Sequence, residues 1–283
     1  MKETDNLKRT LYFLGPKGTY SEAASQKISG ILDFDVELNE ISTISKIAKK
    51  VNDESFALGV LPIENSIEGI VRQTVDSLYD LNVKIQTQID VKIEHCLISK
   101  NNNIKKIKRI ISHPQALAQS SRFIVENFDE NIDLIASSST ANGVYGLLDK
   151  DETHAAIGAK DLAYKLNLNI LAQNIGDIKE NKTRFVLISV DKIDFNKKDT
   201  RTSIVFNTKN KSGALLKILE IFKKYDLNLV YLESRPSKKV FGEYNFFADI
   251  DKGMDEILLA LDEIKQECNF YKLLGSYPII EVK

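Results

Sequence analysis

The chain has 283 residues and a net charge of −1, from 39 basic and 40 acidic side chains, so it carries no large basic field and nucleic acid is not expected as a partner. No apolar stretch is long enough to span a bilayer, and the N-terminal run Met1–Thr10 holds acids and no apolar core, unlike a secretory signal. The two cysteines, Cys96 and Cys268, give no disulfide framework, so a reduced, cytoplasmic setting is expected. In chain order, Leu11–Leu14 reads as an apolar strand followed by a polar turn and a helix, with Thr19 and Glu22 at capping-box spacing. Ala57–Leu61 runs as a strand into Pro62-Ile63-Glu64-Asn65-Ser66, where Asn65 reads as the N-cap of a helix with the stripe Ile67, Ile70, Val71, Thr74, Val75 and Leu78. Ile107–Ile111 leads through Ser112 and His113 into a helix with Pro114 in its first turn, and the basic residues from Lys105 to Arg109 read as a solvated strand edge. Asp133–Ser139, followed by Thr140, repeats the strand–turn–helix form. Near Asn181, Thr183-Arg184-Phe185 sets a hydroxyl and a fixed cation at the mouth of an apolar strand, a pairing suited to an anionic substrate that loses a hydroxyl.

The charged run 191–200 reads as a linker. After it come a strand (Thr202–Thr208), a helix (Gly213–Tyr225) and two strands (Leu227–Ser234 and Phe241–Ile250), the latter with Tyr244, Phe246, Ala248 and Ile250 inward. A helix (Asp255–Cys268) and a strand (Phe270–Ile280) complete the order βαββαβ, a ferredoxin-like α+β arrangement. The alternating strands and helices of the first ~190 residues argue for a mostly parallel α/β sheet. His95, His113 and His154 are too scattered to suggest a metal site, and none is expected.

The segments GPKGTYSEAA, PIENSIEGIV, SHPQALAQ, SSSTA and NKTRF, in this order, resemble prephenate dehydratase. Ser212-Gly213-Ala214-Leu215 and Glu233-Ser234-Arg235-Pro236 resemble the phenylalanine-binding motifs of the ACT domain attached to such enzymes, so the resemblance covers nearly the whole chain. Ser120, Asn142-Gly143, Gln88 and Ile70 depart from the usual pattern. The resemblance implies a bilobal catalytic domain (8–190) like type II periplasmic binding proteins, with one lobe of about 8–86 plus 167–190 and another of about 87–166, and an ACT domain over 201–283. It implies decarboxylation and dehydration of prephenate to phenylpyruvate in phenylalanine biosynthesis, without a cofactor.

Thr183, Arg184, Asn65, Ser112 and Gln119 are implied as catalytic, with Thr183 donating to the leaving hydroxyl and Arg184 pairing with a carboxylate. The helix N-termini expected after Asn65 and Ser112 would add donors. Thr19, Ser66, Ser139, Thr140 and Phe185 are implied as substrate contacts, and Glu64 reads as a loop-ordering acid rather than a general acid. L-Phenylalanine is implied as an allosteric effector held by Gly213, Ala214, Leu215, Asn228, Leu229, Glu233, Ser234, Arg235 and Pro236 in a homo-oligomer, a dimer or a dimer of dimers. Arogenate dehydratase and a non-catalytic amino-acid sensor are the alternatives. No helical domain precedes Thr10, so chorismate mutase activity is not expected.

Overall fold

The computed structural model describes residues 9–237 and 243–281. The chain begins Arg9–Leu14 (β1), Tyr20–Ser29 (α1), Val36–Ile41 (β2), Ile44–Asp53 (α2) and Leu58–Asn65 (β3), with β1 parallel to both β2 and β3. Thr19 caps α1 by accepting from the Glu22 N–H at 3.4 Å, while the Glu22 carboxylate accepts from the Gly18 N–H one residue ahead of the box position. Helix α2 buries Ile44, Ile47, Ala48 and Val51, the one-sided spacing of an amphipathic helix.

Asn65 does not start a helix. It ends β3, and its Oδ1 accepts from the N–H groups of Ile67 (3.0 Å) and Glu68 (3.1 Å), closing a turn that returns the chain as Gly69–Ile70 (β4). Gly69, at φ 77°, takes the left-handed conformation this reversal requires. The expected stripe is therefore split: Ile70 and Val71 precede Arg72–Asp80 (α3), and Thr74, Val75 and Leu78 lie on it.

Lys84–Lys92 (β5) leads to a second sheet of Cys96–Ser99 (β6), Arg109–Ser112 (β7), Asp133–Ala136 (β8), His154–Gly158 (β9) and Asn169–Ala172 (β10), in the order β10-β6-β9-β7-β8. Its helices are Pro114–Ala118 (α4), Ser121–Asn127 (α5), Thr140–Gly146 (α6) and Lys160–Lys165 (α7). Lys182–Ser189 (β11) then returns to the first sheet, antiparallel to β3 and β5, giving β2-β1-β3-β11-β5. The expected divisions at 86/87 and 166/167 fall too early. β5 pairs with β11 through Lys92, and β10 pairs with β6, so the two crossings lie between 92 and 96 and between 172 and 182. They touch each other: the Ile93 N–H donates to the Asn181 carbonyl at 2.9 Å.

The last unit is Arg201–Thr208 (β12), Ala214–Lys224 (α8), Leu229–Pro236 (β13), Tyr244–Ile250 (β14), Met254–Glu267 (α9) and Cys268–Tyr277 (β15). Its sheet runs β13-β14-β12-β15, antiparallel throughout. Residues 241 and 242 of the expected third strand lie outside the described residues. On β14, Ala248 and Ile250 pack against the helices as expected, but Tyr244 is exposed. Asn245, Phe247 and Asp249 are buried as well, because the other face of this sheet lies on the first lobe. There Val205, Phe247, Leu274 and Tyr277 share one core with Ile44, Val51, Val75, Leu78 and Ile188.

Three further contacts join these units. The Lys272 ammonium donates to the carbonyls of Leu78 (2.8 Å), Tyr79 (2.9 Å) and Leu81 (2.6 Å), capping the end of α3. The chain after β15 runs beside β5, with Ile280 N–H to Gln88 O at 2.9 Å and Thr87 Oγ1 to Pro278 O at 2.8 Å, which covers an edge otherwise open to pairing. Gly275 approaches β5 so closely that a Cβ there would sit 2.4 Å from Ile85 O. No helix among the described residues is long and apolar enough to cross a membrane.

Candidate active site

A cavity of about 690 Å³ opens between the first and second sheets. Four of its wall residues cap helices: Thr19 for α1, Thr43 for α2, His113 for α4 and Ser139 for α6. Helix N-termini carry partial positive charge and N–H donors, so this convergence suits an anion. None of the described residues lining the cavity is Lys, Arg, Asp or Glu.

Thr183 and Asn65 face each other across the β11–β3 ladder at the cavity wall. Asn65 Nδ2 donates to Thr183 Oγ1 at 2.9 Å, to Asn181 Oδ1 at 2.8 Å and to Lys182 O at 3.2 Å. Thr183 is 9% exposed, and because its oxygen accepts from Asn65, its O–H proton remains to be donated elsewhere.

Gln119, at the end of α4, reaches the same cluster from the second lobe. Its Nε2 donates to Glu68 Oε1 at 3.1 Å, and its Oε1 is 3.3 Å from Asn181 Nδ2 and 3.2 Å from His95 Nε2. His95 is 5% exposed, and burial pushes its imidazole below the ordinary value. The Tyr20 hydroxyl donates to the Glu94 carbonyl at 2.6 Å and accepts from its N–H at 3.0 Å, tying α1 to the first crossing.

Several expected site residues lie elsewhere. Arg184 is turned away from the cavity, because side chains alternate along β11 and Thr183 takes the cavity side. Its guanidinium pairs with Glu64 at 3.0 Å and with Asp249 of β14 at 3.3 Å, which gives Glu64 a structural partner too. Ser112 is fully buried and donates to Ile157 O at 2.7 Å, and the cap of α4 is His113, whose Nδ1 accepts from the Gln115 N–H. Phe185 lies in the core with Leu11, Ala24, Ile28 and Ile89. Ser66 stands outside the cavity lining and accepts from the Lys182 N–H at 3.0 Å. Thr19, Asn65, Gln119, Ser139, Thr140 and Thr183 do line it. Sequence reasoning missed His95, Thr43 and the side chain of Asn181, all in the lining. Asn181 stands two residues ahead of Thr183, the spacing that shares a strand face, and Thr43 precedes an apolar-periodic helix.

In the last unit, Gly213 caps α8 at φ 79° with open space where a Cβ would be, and Ala214 and Leu215 follow it on the helix. Asn228 and Leu229 lead into β13, and the Glu233–Pro236 segment ends it. The Glu233 carboxylate accepts from the Tyr231 hydroxyl. Arg235 reaches into the first lobe, pairing with Asp76 at 2.8 Å and donating to Arg72 O at 3.1 Å.

Residues 11–193 match the family described as prephenate dehydratase. The chain is 41% identical over 278 residues to the prephenate dehydratase of Methanocaldococcus jannaschii, covering 97% of this chain and 99% of that one. Among solved structures, it is similar to the prephenate dehydratase of Arthrobacter aurescens in complex with L-Phe, with a TM-score of 0.85, 32% identity and coverage of 95% and 90%. It is also similar to GqqA, described as a novel type of quorum quenching acylase, with a TM-score of 0.83, 25% identity and coverage of 96% and 98%. By the family match and the archaeal relative, the chain belongs to the prephenate dehydratase family.

Proposed function

We propose that the cavity binds prephenate and converts it to phenylpyruvate, carbon dioxide and water in phenylalanine biosynthesis. The observation that carries this reading is a cavity, with no Lys, Arg, Asp or Glu among its described lining residues, where the free proton of Thr183 meets four helix N-termini. The C–C electron pair freed by decarboxylation enters the ring while the ring hydroxyl leaves with its C–O pair and takes up a proton from solvent to become water. Thr183 O–H donates to that departing oxygen, and Asn65, by occupying the Thr183 lone pair, fixes the direction of the donation. The starts of α1, α2, α4 and α6, with Ser139 and Thr140, hold the two carboxylates. Neutral donors suit this chemistry better than Arg184 would. A tight ion pair stabilises a carboxylate that must lose its charge, so it lowers the ground state and raises the barrier. Acyl hydrolysis, the activity in the name of GqqA, is disfavoured, since the hydrogen bonds of Thr183, Thr19 and Ser139 run to amides and backbone groups, not to a histidine base.

The two lobes and their crossings (about 8–190) form the catalytic domain in this reading, of type II periplasmic-binding-protein form, and 201–283 forms a ferredoxin-like ACT domain. L-Phenylalanine would bind near Gly213–Leu215, Asn228 and Leu229, where α8 starts without a side-chain cap. Arg235 serves as a strut to α3 rather than as a ligand contact. Exposed Val230 and Leu232 on the sheet-edge strand β13, with Leu216 on α8, suit a second copy of this chain, giving a dimer or dimer of dimers. Phenylpyruvate formation from prephenate, run with and without L-phenylalanine and beside arogenate, tests the substrate and effector assignments. Turnover on prephenate suppressed by phenylalanine supports both assignments. Turnover on arogenate alone reassigns the substrate, and no turnover on either from folded protein refutes the catalytic reading in favour of a sensor.

A further inference from the structure

The Asn65 amide has one orientation. Two backbone N–H groups donate to its Oδ1, so Nδ2 is the group facing Asn181 Oδ1. Ser66 Oγ, which accepts from the Lys182 N–H, donates to the same Asn181 oxygen at 3.4 Å. Asn181 must then present Nδ2 to Gln119 Oε1, which leaves Gln119 Nε2 for the Glu68 carboxylate. His95 Nε2 therefore faces an acceptor and carries the ring proton. Its Nδ1 is a bare lone pair, buried and without a hydrogen-bond partner among the described residues. The bonds run from the 65–68 turn of the first lobe to Gln119 of the second, and return to Glu68 of that turn.

We propose that His95 and Asn181 are positioning residues that hold Gln119 in the single amide orientation able to reach Glu68, latching the two lobes over the bound substrate. The latch acts on closure rather than on the reacting atoms, so losing it raises KM and leaves kcat nearly unchanged. The substrate named here rests on the proposed function, whereas the direction of the hydrogen bonds does not.

The test uses the full chain labelled with ¹⁵N-histidine. Nitrogen NMR of the wild type shows the Nε2–H tautomer at His95. In Asn181→Asp the carboxylate cannot donate, so the Gln119 amide turns its Nε2 inward, His95 Nε2 meets a donor, and the ring proton moves to Nδ1. His95→Gln, which keeps a donor near the Nε2 position, holds KM within about threefold, while His95→Asn raises it about tenfold with kcat altered less than about threefold. An Nδ1–H tautomer in the wild type, an unchanged tautomer in Asn181→Asp, or equal losses in His95→Gln and His95→Asn would overturn the latch. A tautomer switch in an enzyme that makes no phenylpyruvate would instead sink the substrate assignment and leave the ring of bonds standing.

Discussion

Thr183→Val separates chemistry from folding at one position. Valine keeps the branched shape and replaces the hydroxyl with a methyl, so the β11–β3 ladder is undisturbed. Asn65 Nδ2 loses one acceptor and keeps Asn181 Oδ1 at 2.8 Å and Lys182 O at 3.2 Å, so no buried donor is orphaned. The stability loss is then about 1 kcal/mol, a shift of roughly 2–4 °C in Tm. In the role proposed for Thr183, the transition state by contrast loses a donor to a developing oxyanion, worth about 3 kcal/mol or a few hundredfold in kcat. Thr183→Ser retains the donor and should stay within about tenfold of wild type, the remaining loss coming from the freer serine rotor. Initial rates of phenylpyruvate formation at saturating prephenate, paired with thermal melts, give both numbers. A valine variant within about threefold of wild-type kcat removes Thr183 from the chemistry.

Arg184→Met should show the opposite pattern: Glu64 and Asp249 lose their shared cation in a partly buried site, so stability falls by about 3 kcal/mol while kcat per folded molecule changes far less than in Thr183→Val. A stable Arg184→Met variant with abolished turnover would return Arg184 to the substrate. Gly275→Ala forces a Cβ toward Ile85 O and should lower the urea midpoint by the equivalent of about 3 kcal/mol; an unchanged midpoint would mean that β15 does not press on β5 as described. Lys272→Met leaves the end of α3 without its ammonium cap and should cost about 2 kcal/mol, also read by urea unfolding, with a neutral result refuting the cap. Burial holds the folded-state His95 below its ordinary 6.5, so its contribution to stability is present above that value and is lost as pH falls toward the folded pKa. Melts from about pH 7.5 to 5 should therefore show a steeper acid-side loss in the wild type than in His95→Gln, and parallel curves would remove His95 as the cause.

The cap at Thr19 was legible, because its capping-box spacing with Glu22 precedes an uninterrupted helical segment, whereas Thr43 and Ser139 cap helices whose caps were not read from the sequence. Asn65 was not legible, since an Asn side chain satisfies the same pair of backbone N–H groups in a tight turn as at a helix start, and Gly69 settled the choice. Arg184 was legible in principle: adjacent strand residues point to opposite faces, so a cavity-facing Thr183 already excludes it. The polar run Gln86-Thr87-Gln88 concealed the extent of β5, because these residues are buried by pieces of chain far away. Ile193 N–H donates to Gln86 Oε1 at 2.9 Å, and Thr87 reaches Pro278. The order βαββαβ could be read from alternation and spacing, whereas the burial of both faces of its sheet depends on a lobe that local pattern does not reveal.

The pairing of residues 278–280 with β5 bears on how the protein is made. Thr87 and Pro278 stand 191 positions apart, so during synthesis β5 emerges long before the segment that shields it, and β11 also arrives late. The first sheet thus spends most of translation unfinished, with Ile85 and Ile89 lacking their final neighbours. A fragment stopped near residue 193, the span that matches the family, would retain every cavity residue and still expose that edge and the apolar face meant for Phe247 and Tyr277. Such a fragment should aggregate even though its cavity lining is complete, which makes the C-terminal unit part of the first lobe's solubility as well as a candidate for its control.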